Sequence, residues 1–163
     1  MRSLQHTVSG PFAALLLLSL PSASGAKPQG EDLRFQYAAK IVCATNELAG
    51  RLGLVPQTYA TTINVHNPTD SLALLMKKFA MTMPPGLERP GKIYPLTKVP
   101  EQLGPDQAMA VDCVDVMRRT GLPNGFEGFV VIYSSRPLDV VGVYAVPGGV
   151  DVVQVPERPR HLF

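Results

Sequence analysis

Tryptophan is absent from this chain, and cysteine occurs only twice, at Cys43 and Cys113. Without Trp, the Cys…Trp…Cys core of antibody domains is excluded. Charge is sparse as well: Asp, Glu, Lys and Arg make up 17% of the residues and leave a formal net charge of +2. So neutral a surface offers no long-range attraction for nucleic acid or anionic lipid. Familiar catalytic signatures are missing. There is no G-x-S-x-G, no H-E-x-x-H and no C-x-x-C, and Gly148-Gly149 lacks the Lys-Ser/Thr of a phosphate-cradling loop. The acids Asp106, Asp112, Asp115, Glu127, Asp139 and Asp151 follow no calcium-loop spacing, and paired catalytic carboxylates cannot be inferred from them. No apolar run reaches the roughly 20 residues that a membrane-spanning helix needs.

A shorter apolar run is present. Phe12 to Leu20 follows the basic Arg2 and precedes Ser24-Gly25-Ala26. Positive start, apolar centre and small-residue site, in that order, predict a secretory signal peptide over residues 1–26, removed on export. The expected location is periplasmic or extracellular, with no membrane span after cleavage. No cysteine follows the apolar run closely, which argues against a lipid anchor. In an oxidising compartment an even cysteine count suggests a Cys43–Cys113 disulfide. Two buried inert thiols, or a metal or redox pair, are the alternatives. A bridge would close a loop of about 70 residues, worth roughly 4 kcal/mol on a chain-entropy argument.

Proline (16) and glycine (14) punctuate the rest of the chain and disfavour long helices. Residues 27–32 read as a flexible leader, 33–156 as the folded domain and 157–163 as a frayed tail. Within the domain the apolar period is two. Leu33 to Cys43 places Phe35, Tyr37, Ala39, Ile41 and Cys43 on one face. Tyr59 to His66 alternates in the same way, and the turn chemistry of Asn67-Pro68-Thr69-Asp70 after it suggests entry into a hairpin. Leu72 to Met83 fits both periods. A strand is preferred, with Lys77 at an edge or bulge. One edge strand is expected near Ile93 to Thr97, and Gln107 to Val114 reads as a strand with Cys113 on its apolar face. A short helix is expected over Asp115 to Thr120. Gly128 to Ser134, apolar on both faces, reads as a central strand. Leu138 to Val146, with a bulge at Gly142, and Val150 to Val155 complete the set. Seven or eight short strands without βαβ alternation predict an all-β fold, an antiparallel Greek-key β-sandwich of immunoglobulin-like architecture.

Few residues suggest a site. His66, with Asn64 and Asn67 beside it, is the one candidate ligand-facing group, although a histidine hydrogen-bonded to the turn after it is the preferred reading. Met81 and Met83, with Met76 and Met109, offer thioethers for copper(I), yet methionines at alternate strand positions also fill cores. No cofactor and no catalytic residue is assigned. The expected role is a non-enzymatic interaction with an unknown protein or envelope component. A periplasmic copper or small-molecule carrier is the alternative, and a hydrolase a further one without any nucleophile–base motif behind it.

Several strings together resemble a family of small exported bacterial β-sandwich proteins of unknown function. They are Tyr37-Ala-Ala-Lys-Ile-Val-Cys43, Tyr59-Ala-Thr-Thr-Ile-Asn-Val-His-Asn-Pro68, Val111-Asp-Cys113, Gly128-Phe-Val-Val-Ile132 and Leu138-Asp-Val-Val-Gly-Val-Tyr144. The resemblance implies export and a sandwich fold. It also places both cysteines in the shared pattern, which favours the bridge, and leaves Met81 and Met83 outside it. It transfers no functional residue.

Overall fold

Alternating apolar and polar residues carry most of the chain into strands. The computed structural model describes residues 33–159 and arranges ten strands in two antiparallel sheets. The first sheet contains β1 (Phe35–Cys43), β3 (Ala73–Met81), β4 (Ile93–Pro95), β5 (Glu101–Leu103), β7 (Phe126–Ser134) and β10 (Arg158–Pro159). Its order is β10-β1-β7-β3-β4, and β5 pairs with β3 as well. The second contains β2 (Ala60–His66), β6 (Ala108–Asp112), β8 (Asp139–Val146) and β9 (Gly149–Gln154), in the order β6-β2-β8-β9. A single-turn helix α1 (Asn46–Ala49) runs into a 3-10 turn at Gly50–Leu52, and α2 (Cys113–Thr120) follows β6. The expected signal peptide (1–26) and leader (27–32) lie outside the described residues.

The all-β sandwich is the fold the alternation predicts. Strands adjacent in a sheet are mostly distant in sequence, β1 with β7 and β3 with β7, so the chain crosses repeatedly between layers in Greek-key fashion. Ten strands replace the expected seven or eight because β5 and β10 have three and two residues, too few to show a period. The inward residues form one core: Tyr37, Ala39 and Ile41 of β1, Ile63 and Val65 of β2, Leu75 and Phe79 of β3, Val130 and Ile132 of β7, and Val140 of β8. Phe79 meets Phe126 edge-on, with ring centroids 5.4 Å apart.

The structure departs from the expectations at five places. First, Asn67 to Asp70 makes no hairpin, since β2 lies in the second sheet and β3 in the first. The Asn67 side chain turns inward instead, and its Nδ2 donates to the carbonyls of Ser71 (2.8 Å), Leu103 (2.9 Å) and Gly104 (3.0 Å). Those bonds draw the chain across to the other layer. Second, of the edge or bulge expected at Lys77 the structure has a bulge opposite it and no sheet edge. β3 is flanked by β7 on one side and by β4 and β5 on the other, and Lys77 points into the core. The irregularity lies in the neighbouring segment between β4 and β5. There Leu96 and Thr97 both donate backbone N–H to the Lys77 carbonyl, at 2.9 and 3.2 Å, and the Lys77 N–H donates to Thr97 Oγ1 at 2.8 Å.

Third, Gly142 forms no bulge, because it pairs in register with Ile63 and with Val153. Its missing Cβ leaves room for Tyr144, whose Oη would stand 2.9 Å from that atom and donates to the Lys40 carbonyl. Fourth, Cys113 opens α2 rather than extending β6. Asp112 and Asp115 form a reciprocal capping box there, which stops the strand and starts the helix. Fifth, the tail from Glu157 is not frayed where it is described. Glu157 accepts a hydrogen bond from the Tyr37 hydroxyl at 3.1 Å, and Arg158 and Pro159 pair with Gln36 and Phe35.

Candidate functional site

Both cysteines are spent on one bond. Cys43, the last residue of β1, is joined to Cys113, the first of α2, with Cα atoms 5.8 Å apart. The bridge ties the first sheet to the helix that leaves the second, and neither thiol is available as a nucleophile or metal ligand.

His66 and Asn64 lie on the outer face of the second sheet, as period two requires. The half-exposed imidazole places Nδ1 3.3 Å from Asp139 Oδ2 and Nε2 3.9 Å from Asp106 Oδ1. Asn64, two residues back, pairs across the sheet with Ala110 and Val141, neither of which carries a charge. Imidazole between two solvated carboxylates is a polar cluster that links β2, β8 and the turn at Asp106. Asn67, expected to face a ligand, is completely buried and holds the sheet-to-sheet corner instead. Its Oδ1 accepts from Thr69 N–H and Thr69 Oγ1, so every polar atom of the amide is used within the corner. Among the described residues, no group of three or more His, Cys, Asp or Glu side chains is arranged to hold a metal. The methionines are dispersed: Met76 and Met81 occupy opposite faces of β3, and Met109 belongs to β6 of the other sheet.

A polar cluster that no motif announced lies where β4 and β5 break apart. Lys77 enters the core from β3 with its side chain 2% exposed and forms an ion pair with Glu101 of β5. Its ammonium also stands 3.8 Å from Met109 Sδ. Arg119, near the end of α2, donates from Nη1 to the Leu96 carbonyl at 2.6 Å and brings Nη2 to 3.6 Å from Glu101. Outside this cluster the surface opens into a groove of about 460 Å³ lined by Leu96, Thr97, Lys98, Val99, Glu101 and Arg119. The one signal in the sequence is the phase of Lys77, which falls on the apolar face of an alternating strand and so demands a buried partner. Nothing local identifies that partner as Glu101.

The second feature is an edge. Among the described residues, β9 pairs only with β8, and all six of its residues are exposed. Val150 and Val152 are 68% and 62% exposed, and Val153 is exposed on the opposite face. Just beyond the strand, the Val155 N–H donates to the Val140 carbonyl at 2.8 Å. Antiparallel alternation carried back from that bond points the backbone groups of Val150, Val152 and Gln154 away from β8, toward the open edge. Accordingly the Val152 N–H finds its acceptor in Asp151 Oδ1 at 2.9 Å rather than in a strand.

No family model and no curated protein matches the chain. Among solved structures it is similar to the crystal structure of Thermotoga maritima 1070, at 10% identity and a TM-score of 0.45, covering 76% of this chain and 92% of that one. A likeness of that degree adds nothing to the strand pairing described above, on which the fold assignment rests.

Proposed function

We propose that this is an exported, non-catalytic binding protein that takes an extended segment of a partner protein onto the open edge of β9. The observation that carries the reading is the exposure of β9 along its whole length, with valines on both faces and outward backbone groups at alternate residues. Strand addition uses those features: main-chain bonds supply affinity, and alternate side chains supply selectivity. Natural edge strands are usually short, charged or covered, which blocks unwanted pairing. β9 carries one charge, Asp151, and that carboxylate caps the Val152 N–H. An incoming strand must displace this cap, so the favoured segment bears Lys or Arg opposite Asp151 and β-branched residues opposite Val150 and Val152. Engagement of both cysteines with each other is consistent with a role that needs no thiol chemistry.

Site-specific photo-crosslinking in the producing cells tests this reading. A photoreactive residue at Val150 should give one discrete adduct with another protein. The same residue at Val55, exposed but away from the sheets, should give none. Val152→Pro removes an outward N–H without touching a bond to β8 and should abolish the adduct. No adduct, or equal adducts from both positions, overturns the proposal. An adduct of twice the chain mass identifies a second copy in place of the partner segment and overturns it as well.

A further inference from the structure

We propose that the groove between the segment joining β4 to β5 and the end of α2 binds a small organic anion, a carboxylate head on a short apolar body. The charge arrangement carries the inference. Glu101 is the one carboxylate lining the groove, and Lys77 already neutralises it from the core side. Arg119 is therefore left with a 3.6 Å contact to a carboxylate whose charge is met elsewhere, and Lys98 adds a second cation on the same wall. Lys77, Arg119 and Lys98 thus set three cations against the one carboxylate among the described residues that line the groove.

The guanidinium is held in place by its bond to the Leu96 carbonyl, so its planar fork is oriented before any ligand arrives. A fork of this kind matches a carboxylate through two parallel hydrogen bonds. Pro95 and Val99 supply the apolar contact, both exposed on the groove, Val99 to 70%. A volume of about 460 Å³ falls within the range of small-molecule sites, which runs from roughly 300 to 1,000 Å³. Lys77 serves here as a positioning residue. By holding Glu101 it stops that carboxylate from pairing tightly with Arg119 and from repelling the incoming anion.

The site is tested on the intact oxidised protein by following backbone amide resonances during titration with sodium hexanoate, at ionic strength held constant with sodium chloride. Saturable shifts are expected at Thr97, Val99 and Arg119, with hexanol and inorganic phosphate each weaker by about ten-fold or more. Lys98→Glu should weaken hexanoate by about ten-fold. That side chain lies on the exposed loop, so the variant keeps the fold. Arg119→Lys, which retains the charge and loses the fork, should also weaken it. The absence of saturation by about 10 mM hexanoate, an unchanged affinity in Lys98→Glu, or equal binding of phosphate overturns the proposal. Shifts confined to residues outside the groove overturn it too. None of these outcomes depends on the β9 edge.

Discussion

Tyr37 shows how one side chain can join distant parts of the chain. Its ring is buried in the core, while its hydroxyl accepts from the Leu138 N–H at 2.8 Å and donates to Glu157. Burial pushes its pKa from 10.0 up to about 12; the Leu138 bond opposes that shift, and Glu157 and Asp139 add to it. The folded state therefore holds this proton more tightly than the unfolded state. Its contribution to stability is complete below pH 10 and is lost between pH 10 and about 12, where only the unfolded chain ionises. Urea midpoints should fall across that window. Tyr37→Phe should lower the midpoint at neutral pH, by roughly 1 kcal/mol for the lost hydrogen bonds, and flatten the alkaline fall. Burial and Asp151 also raise the pKa of Tyr144, so some slope should remain in the variant. An equally steep fall in the variant would refute this assignment. The sequence predicts an inward Tyr37, but the two partners of its hydroxyl are 101 and 120 positions away and have no local signature.

At the scale of elements, β7 is the spine of the first sheet, with β1 on one side and β3 on the other. Its apolar run correctly announced a central strand. The outer face is nevertheless half-open, and its aromatics are roofed by cations rather than by a second layer. Lys40 stands 5.3 Å from the centroid of Phe129, and Lys78 stands 5.1 Å from that of Tyr133. Gly128 admits close neighbours: a Cβ there would lie 2.2 Å from the Ala80 carbonyl oxygen and 2.6 Å from the Phe79 ring. Backbone cannot yield cheaply, so Gly128→Ala should destabilise by about 3 kcal/mol, at the upper end of the overpacking range. At Gly142 the obstruction is the end of the Tyr144 side chain, which can swing aside and give up its bond to Lys40. Gly142→Ala should cost about 1 kcal/mol. Urea unfolding of both variants checks the ranking, and a larger loss at Gly142 would contradict it.

For the whole molecule, the decisive covalent feature is the Cys43–Cys113 bond across 70 positions. It links the two layers, and breaking it releases the loop between Cys43 and Cys113 in the unfolded ensemble. Reduction, or Cys43→Ser combined with Cys113→Ser, should remove roughly 4 kcal/mol on the chain-entropy argument. The melting temperature should fall by roughly 10–20 °C for a domain of this size. A calorimetric scan with and without reductant decides the matter, and coincident transitions would show that the bridge stabilises nothing.

Local alternation is enough to specify β1, β2, β7 and β8 and the inward face of each, because a period of two depends only on neighbours in the chain. Turn chemistry marks where those strands end, and the two cysteines, set on apolar phases, already suggest their pairing. The assignment of strands to layers depends instead on contacts between distant segments. Asn67 demonstrates this: as a string, Asn67-Pro68-Thr69-Asp70 suits a hairpin, and only the carbonyls of Leu103 and Gly104 turn it into a corner between sheets. Lys77 is the same case in the core. Its phase is local, but the carboxylate that makes it tolerable comes from β5, and the groove beside them exists only once α2 packs against the break in β3's partner strand. The open edge of β9 is also a product of assembly, since a strand of that composition becomes an edge only when no other described strand pairs beside it. Periodicity acts over a few residues, whereas pairing, burial and charge compensation are settled when distant segments meet.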